Sequence, residues 1–377
     1  MNRCIRTGIL LTAIIFCVLL FRLMSTMEYH WRSQNYYFED KRKQCGLSVC
    51  TPCQALDPVG DGYIPRSRSN NAPMVMQGEK FFDPVNFITP NTIDKLEDLP
   101  RSGDDKLEKI IHQSWRRKKL PKQFSNYVRS CIINHQSWNY MFWTDHSSRQ
   151  FVIDWYPKFL YLYDSYTHPL NRPDALRYIL LFHFGGVYID LDVQCLHPLD
   201  PMIKKYTCFL GQEPHAHSIV YNNFLGQASN AFMACRKQHP FMKAVLENLY
   251  LFYYFVDILD STGPRFFTFS FRQYVRIHRN LESTDDNYVY LAPPEYFLPT
   301  VDPAINKRLE YQCQNFSCLS DLRKWQCDQW RREGITSSPL PFSFTNHVWF
   351  HTTEYVSLGQ DIDIFDIHPN AKMYSTI

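Results

Sequence analysis

Four charged residues in one stretch of the chain have the types and the spacing to bind an anionic ligand through a metal ion. Asp174 and Arg177 lie three residues apart, and Asp190 and Asp192 lie two apart. Two carboxylates at this short spacing can hold a hard divalent cation, Mn²⁺ or Mg²⁺, and leave positions open for phosphate oxygens. Such a cation stabilises the charge that develops on a departing diphosphate. Arg177 could donate hydrogen bonds to phosphate or sugar oxygens, and Asp174 could accept them from sugar hydroxyls.

A predicted helix and a predicted strand carry these residues, with a double glycine between them. Pro173 is typical of the first turn of a helix, and Gly185 and Gly186 end the helical period. A spacing of three puts the acid and the arginine on one face of this helix. We predict a strand over 187–193, where both aspartates share one face because strand side chains alternate.

The surrounding sequence alternates short apolar runs with helical stretches. A strand over 110–115, a helix over 124–133, a strand over 140–145 and a helix over 151–161 follow in order. This order predicts an α/β fold with a mainly parallel sheet and flanking crossover helices. The apolar segment 246–259 is too short and too interrupted by polar residues to span a membrane, so we expect a buried helix there.

The N-terminal segment is the part of the sequence that we expect to enter a membrane. Residues 7–21 are apolar and follow Arg3 and Arg6. Extended to residue 24, the segment reaches about 18 residues, the short end for a bilayer span. The poor cleavage site favours an uncleaved anchor over a signal peptide, and the arginines favour a cytoplasmic N-terminus. We therefore expect a single-pass type II protein of the Golgi or ER membrane. Residues 1–6 would form its tail, 7–24 its anchor, 25–105 a luminal stem and 106–377 its folded domain.

Cysteine usage independently favours an oxidising lumen. Ten of the 12 cysteines lie beyond the predicted anchor, and an even set there predicts disulfides. Cys50 and Cys53, with Cys45 nearby, could instead form a zinc half-site or a redox pair, but no fourth ligand follows at a matching spacing. The sequon Asn315-Phe-Ser317 is compatible with a luminal surface loop.

Composition excludes several classes of protein. Lys and Arg number 40 and Asp and Glu number 37, which gives a formal charge of +3, with 45% hydrophobic residues. A dedicated nucleic-acid binder and a disordered chain are therefore poor interpretations. Only 13 glycines are present, and no internal period suggests a repeat protein. A diphosphate would have to be held by a local metal site instead of a basic surface.

With these motifs in order, the chain resembles the family of glycosyltransferases containing the DXD sugar-binding motif. That family includes the yeast initiating α-1,6-mannosyltransferase, inositol phosphoceramide mannosyltransferases and α-1,4-galactosyltransferases. The resemblance runs from about residue 109 to residue 201. The motifs that carry it are IHQSW at 111–115, WTD at 143–145, RPDALRY at 172–178, FGGVYIDLD at 184–192 and CLHPLDP at 195–201.

The resemblance implies a GT-A fold and a metal-dependent transfer of a hexose, with retention, from a nucleotide sugar. The motifs are closer to the mannosyl branch, so we expect GDP-mannose as donor, with UDP-galactose or UDP-N-acetylglucosamine as the alternative. The acceptor would be a glycan or a glycolipid. Inositol phosphoceramide mannosyltransferases often carry further apolar spans near their C-terminus, and their absence here weakens the case for a sphingolipid acceptor. Nucleic acid is not expected as a partner, and homo- or hetero-oligomers stay open.

The resemblance also implies a set of site residues. The expected metal ligands are Asp190, Asp192 and His347, and the expected catalytic residues are Asp174, Arg177, Asp190 and Asp192. Residues expected to contact the donor are His112, Gln113, Trp115, Trp143, Asp145, Asp174, Arg177, Gly185 and Gly186. Core packing is an equally good interpretation of either tryptophan, and His347 could be a packed histidine in an aromatic strand.

Other classes explain the motifs less well. A haloacid-dehalogenase-type phosphatase also uses Asp-x-Asp, but it would have threonine where this chain has Gln194. An inactive, sugar-binding relative stays open, although the intact charged residues count against it. Glu213, His215 and His217 could form a ligand cluster, but we expect a polar loop.

Overall fold

The computed structural model describes residues 99–217, 226–314, 319, 324, 327–328, 330–331, 338–350 and 360–374. The predicted anchor, most of the predicted stem, the cysteines at 45, 50 and 53 and the sequon lie outside the described residues. Leu99 and Leu107 are already buried in the core of the domain. Within the described ranges, no helix combines the length and the apolar character needed to cross a membrane.

A six-stranded mixed sheet lies at the centre of the domain. Its strands are β1 Ile110–Ser114, β3 Asn139–Trp143, β4 Gly186–Ile189, β6 Cys208–Gln212, β7 Ala228–Cys235 and β8 Tyr290–Ala292, in the order β3-β1-β4-β7-β6-β8. Every neighbouring pair is parallel except the two that β7 makes. The five other strands therefore run in one direction, and their carboxyl ends meet at one edge. This confirms the predicted mainly parallel sheet.

Helices and two small sheets complete the domain. The helices are α1 Ser125–Asn134, α2 Asp145–Trp155, α3 Pro157–Ser165, α4 Asn171–Phe184, α5 Asp200–Lys205, α6 Pro240–Phe252, α7 Ile258–Ser261, α8 Pro264–Ile277, α9 Pro294–Phe297, α10 Asn306–Cys313 and α11 Ile364–Ile367. Short 3-10 helices cover Lys122–Phe124 and Pro303–Ile305. The small sheets pair β2 Lys119–Pro121 with β10 Asp361–Asp363, and β5 Val193–Cys195 with β9 Thr345–His347, both antiparallel.

The core has an apolar layer on each face of the central sheet. Val187 and Ile189 of β4 pack in one layer, with residues of α1 and α5. Tyr188 packs in the other, with residues of α2, α4, α6 and α8. The alternation of β4 side chains therefore ties the strand that leads into the aspartate motif to both halves of the core.

Two of the predicted helices differ from those in the structure. The helix expected over 151–161 is divided at Tyr156 and Pro157, because proline begins a new helix more readily than it continues one. The helix expected to be buried over 246–259 corresponds to α6, which ends at Phe252. It is amphipathic, since Leu249 is buried while Leu251 is 53% exposed. The expected helix is therefore present but is buried on one face only, and it ends at Phe252 instead of residue 259.

The double glycine closes α4 as predicted, but the strand after it is shorter than expected. Gly185 and Gly186 have φ of +72° and +92°, which favour glycine, and a Cβ on Gly186 would collide with the Ile110 carbonyl oxygen. β4 ends at Ile189, and a turn carries Asp190 to Asp192 into β5. The Val193 N–H closes this turn by donating to the Asp190 carbonyl at 3.1 Å. The predicted continuous strand over 187–193 was therefore wrong.

Six of the cysteines in the described ranges form disulfides, as the sequence predicted for a luminal domain. The pairs are Cys131–Cys195, Cys208–Cys235 and Cys313–Cys327. The first pair ties α1 to β5, the strand that directly follows the aspartate turn.

We expect loss of the α1 to β5 disulfide to destabilise the domain strongly. Cys131 and Cys195 are 64 residues apart, and closing a loop of that size restricts the unfolded chain by about 4 kcal/mol. Urea unfolding of the Cys131→Ala/Cys195→Ala variant would measure this loss. As a comparison, Cys313→Ala/Cys327→Ala removes a bridge with a separation of 14 residues, for which about 3 kcal/mol is expected. An unchanged midpoint for the first variant would contradict the prediction.

Candidate active site

Polar side chains gather at the edge where the parallel strands end. Trp115 follows β1, Asp145 follows β3, the Asp190 to Asp192 turn follows β4, and Glu213 follows β6. In open α/β sheets, ligands bind in the crevice outside the carboxyl ends of the strands. The sheet therefore brings residues from four separate parts of the sequence to the place where such folds bind ligands.

The two aspartates and His347 form a group that fits a divalent cation. One ligand atom from each of Asp190, Asp192 and His347 lies within 4.8 Å of the others. β9 pairs with β5 so that His347 is opposite Val193, next to the aspartate turn. The Nδ1 atom of His347 is buried and has no hydrogen-bond partner in the described part of the chain. Two carboxylates and an imidazole with one unpartnered nitrogen are a donor set that fits the predicted Mn²⁺ or Mg²⁺.

A disulfide excludes metal binding by the cysteines of a second group of residues that could otherwise be ligands. Cys208, Cys235 and His239 also lie within ligand distance of one another. Because the two cysteines form a disulfide, their sulfur atoms are not available as thiolate ligands.

Asp192 and His347 favour each other's charged forms. Burial alone would raise the pKa of Asp192, but the charge and hydrogen bond of His347 and the Phe350 N–H outweigh it and lower that pKa. Burial alone would lower the pKa of His347, but Asp192, Asp190 and Glu213 outweigh it and raise that pKa. Without a metal ion, this imidazole therefore serves as a counter-charge to Asp192.

Arg177 joins the aspartate turn to helix α4. Its guanidinium lies 3.2 Å from Asp174 Oδ1 and 3.2 Å from Asp190 Oδ2. It also donates to the Asn230 carbonyl at 2.7 Å and lies over the Tyr188 ring. Burial works to lower the pKa of Arg177, but the nearby carboxylates outweigh it and raise that pKa, so the residue stays a cation. One cation is thus shared between two carboxylates.

Asp174 is buried and held by three partners. Besides Arg177, Asn230 Nδ2 donates to Oδ1 at 3.0 Å and Thr262 Oγ1 donates to Oδ2 at 3.1 Å. Burial raises the pKa of Asp174 to about 7, although Arg177 acts in the opposite direction. The carboxyl group can therefore hold a proton near neutral pH. Tyr178 adds further rigidity, because its hydroxyl donates to the Thr262 carbonyl at 2.6 Å.

Three residues that were predicted to contact the donor lie behind the site. His112, Gln113 and Trp143 have 0% exposure. Trp143 packs among Phe151 and Phe184, so its ring offers no free face for stacking on a nucleotide. The core interpretation of Trp143 therefore holds in this structure, and the stacking role predicted for it is corrected.

His112 and Gln113 instead position backbone groups. Trp143 Nε1 donates to His112 Nδ1 at 3.2 Å, which leaves Nε2 to donate to the Gly185 carbonyl at 3.0 Å. Burial lowers the pKa of His112 to about 4, so the ring is neutral. The Gln113 side-chain amide donates to the Asp190 carbonyl at 3.3 Å, and this hydrogen bond helps to fix the turn from Asp190 to Asp192.

Gly185 and Gly186 lie at the wrong end of β4 for the donor contact that was predicted. Gly185 precedes β4 and Gly186 is its first residue, whereas Asp190 follows its last residue. A four-residue strand is roughly 13 Å long. Their role in the structure is to connect α4 closely to the sheet.

Trp115 and Asp145 remain at the site edge as predicted. The Trp115 ring is half-buried and stacks edge-on with Phe124. Asp145 is exposed at the start of α2, where the Thr144 side chain caps the helix. Both side chains lie where a nucleotide could contact them, and that contact stays a prediction.

Sequence reasoning missed Glu213 as part of the site edge. It is 6% exposed, and its Oε2 lies 3.0 Å from His217 Nδ1. The Asp302 N–H donates to His217 Nε2 at 3.0 Å, so Nδ1 carries the proton and donates to Glu213. The expected polar loop is therefore an ordered, buried pair. Its position directly after an apolar strand was the available signal.

Comparison with known proteins places the central part of this site in a described family. Residues 121–209 match the glycosyltransferase sugar-binding region containing DXD motif. That stretch includes Asp174, Arg177, Asp190 and Asp192 but not His347.

Curated relatives extend the similarity. Inositol phosphoceramide mannosyltransferase 1 of Schizosaccharomyces pombe is 30% identical over 220 residues, 54% of this chain and 66% of that protein. Mannosyl phosphorylinositol ceramide synthase SUR1 of Saccharomyces cerevisiae is 35% identical over 175 residues, 45% of this chain and 43% of that protein. Rat lactosylceramide 4-alpha-galactosyltransferase is 28% identical over 145 residues, 38% of this chain and 36% of that protein. The chain thus spans between about a third and two thirds of these relatives.

A solved structure, PaToxG glycosyltransferase, covers 60% of this chain and 86% of its own, with 15% identity and a TM-score of 0.36. At that score the likeness adds nothing to the description of the fold. The sequence matches carry the assignment: through residues 121–209 and its aspartate motif, the chain belongs to the family of glycosyltransferases with a DXD-containing sugar-binding region.

Proposed function

We propose that this chain is a metal-dependent, retaining glycosyltransferase with a GT-A fold, and that it transfers mannose from GDP-mannose to a glycan or glycolipid. The observation that carries the proposal is the convergence of Asp190, Asp192 and His347 beside the Asp174 and Arg177 pair. This group lies at the carboxyl edge of the sheet, where a nucleotide sugar would enter. The match of residues 121–209 to a glycosyltransferase family supports the same reaction.

The site residues have different proposed roles in the transfer. Asp190, Asp192 and His347 would hold Mn²⁺ or Mg²⁺, which supplies positive charge to the diphosphate leaving group. Arg177 adds a fixed cation beside that position and can donate to phosphate or sugar oxygens. Asp174 is oriented by Asn230 and Thr262 and has lone pairs left for sugar hydroxyls. Because these groups are held before the donor binds, little reorganisation is needed during transfer.

The names of the relatives support the choice of donor and acceptor. The two yeast relatives are named as a mannosyltransferase of inositol phosphoceramide and a synthase of its mannosylated form, which supports mannose and a glycolipid acceptor. The rat relative is named as a galactosyltransferase of lactosylceramide, which favours UDP-galactose as the second candidate donor. We place the reaction in the lumen of the Golgi or ER, with residues 7–24 as the anchor. The three disulfides fit an oxidising compartment of that kind.

A thermal-shift panel would test the donor directly. With Mn²⁺ present, we expect GDP and GDP-mannose at about 100 times their Kd to stabilise the domain by about 2.7 kcal/mol, which raises Tm by about 5–10 °C. UDP and UDP-galactose should give smaller shifts, and EDTA should remove the shift for every nucleotide.

Each other result of the panel has a clear meaning. A larger shift with UDP-galactose would favour the galactosyl candidate. No shift with any nucleotide would favour an inactive relative, and a shift that survives EDTA would contradict metal dependence. Transfer of labelled mannose to inositol phosphoceramide or to an oligomannose glycan would then separate the two acceptor classes.

A further inference from the structure

The segment His347 to Phe350 closes around Asp192, and we call these four residues the clasp. His347 Nε2 lies 3.1 Å from Asp192 Oδ1, and the Phe350 N–H donates to Oδ2 at 2.9 Å. The Val348 N–H donates to the Asp192 backbone carbonyl at 3.0 Å. Both carboxylate oxygens and the carbonyl of Asp192 are therefore held by one short segment.

The backbone of Trp349 directs the clasp toward Asp192. Its φ is +60°, and among non-glycine residues in the described ranges only Gln238 also has a positive φ. The β5 to β9 register pairs His347 with Val193, so a continued ladder would put Phe350 opposite Asp190. The left-handed residue ends the ladder instead, and the Phe350 N–H meets the side chain of Asp192.

The side chain of Trp349 is fixed from several directions. Its Nε1 donates to the Thr300 carbonyl at 2.8 Å, and the Thr300 hydroxyl donates to the His347 carbonyl at 2.9 Å. The indole lies edge-on to His347 and His217, with ring centroids 4.0 Å and 4.4 Å away. Unfavourable backbone conformations persist where the surroundings determine them in this way, and they concentrate at functional sites.

We propose that Trp349 is a positioning residue for metal binding, because its left-handed backbone orients the carboxylate of Asp192 toward the cation. The inference rests on the proposed function, since it assumes that Asp192 is a metal ligand. It adds a residue that lies outside the family match at 121–209 and supplies no ligand atom to the group formed by Asp190, Asp192 and His347. The left-handed backbone of Trp349 directs the Phe350 N–H to the carboxylate of Asp192, and the contacts of its indole hold that backbone conformation.

Three substitutions that all remove the indole can isolate the contribution of the backbone. Glycine and asparagine adopt a positive φ readily, whereas β-branched valine does so only with strain. Trp349→Gly, Trp349→Asn and Trp349→Val therefore lose the same side-chain contacts but differ in their access to the clasp conformation. The Kd for Mn²⁺ alone, measured by the EPR signal of free Mn²⁺, gives a readout that does not depend on turnover.

We expect the glycine and asparagine variants to bind Mn²⁺ within about threefold of each other, and the valine variant about tenfold more weakly. Equal affinities for all three variants, whether below the wild-type value or at it, would overturn the proposal. Circular dichroism would check folding, and if the valine variant does not fold, Trp349→Ala compared with Trp349→Gly makes the same test. Wild-type protein that binds no Mn²⁺ would overturn the proposed metal dependence itself, and would do so before any variant is made.

Discussion

We expect Asp192→Asn to lower the rate of sugar transfer by about a thousandfold, because it removes a carboxylate that we propose as a metal ligand and the counter-charge of His347. The amide has nearly the size of the carboxylate, so the substitution tests charge more than packing. The measurement is kcat/KM for the nucleotide sugar over a range of Mn²⁺ concentrations. Excess Mn²⁺ should restore only part of the rate.

Asp200→Asn is the matched control for that experiment. Asp200 lies nearby in sequence, at the start of α5, and forms a partly exposed ion pair with Lys109 at 3.0 Å. Exposed pairs of this kind contribute less than about 1 kcal/mol, so this variant should keep nearly full activity. A rate for Asp192→Asn within tenfold of the control would show that Asp192 is not a metal ligand.

Arg177→Met should reduce the free energy of unfolding by about 3–5 kcal/mol at pH 8, since it leaves the buried carboxylate of Asp174 and the partly buried carboxylate of Asp190 without their shared cation. The loss should depend on pH. Asp174 has a folded-state pKa of about 7, above its ordinary value, so ionisation of this group opposes folding as the pH rises from about 4 to 7. Without Arg177 that pKa rises further, and the decline in stability extends above pH 7.

Urea unfolding at pH 5 and pH 8 would measure this effect. We expect a smaller difference between wild type and Arg177→Met at pH 5, where Asp174 is protonated in both proteins. Adding Asp174→Asn to the variant should recover part of the stability at pH 8, because one of the two unpaired charges is gone. Equal losses at both pH values, or no recovery in the double variant, would contradict the assignment of a shared cation.

Local signals account for the parts of the fold that the sequence predicted well. Pro173 lies in the first turn of α4, and the double glycine directly follows Phe184, the last residue of that helix. Alternating apolar runs predicted β1, β3 and β4, because successive side chains of each strand lie in opposite layers of the core. These patterns depend on neighbours in the chain, so one sequence is enough to read them.

The features that could not be predicted from the sequence depend on contacts between residues that are distant in the chain. The alternation of apolar and polar residues continues past Ile189, the last residue of β4, because Leu191 is buried in the turn just as it would be in a strand. The pattern therefore predicted too long a strand. The burial of Trp143 depends on Phe151, Phe184 and Tyr374, and nothing at position 143 reveals it. The antiparallel direction of β7 likewise follows from tertiary pairing and not from the residues of that strand.

The proposed metal ligands lie far apart in the sequence, and this separation has a consequence for biosynthesis. Asp192 and His347 are 155 residues apart, so at about 5–20 residues per second a ribosome takes roughly 8–30 s to go from one to the other. Throughout that interval the nascent chain holds both aspartates without their imidazole, and β5 without its partner β9. Arg177 is made earlier and is the cation already available to Asp190. On the proposed function, the three-residue metal site is complete only after the clasp has been synthesised, and until then Arg177 is the counter-ion available to Asp190.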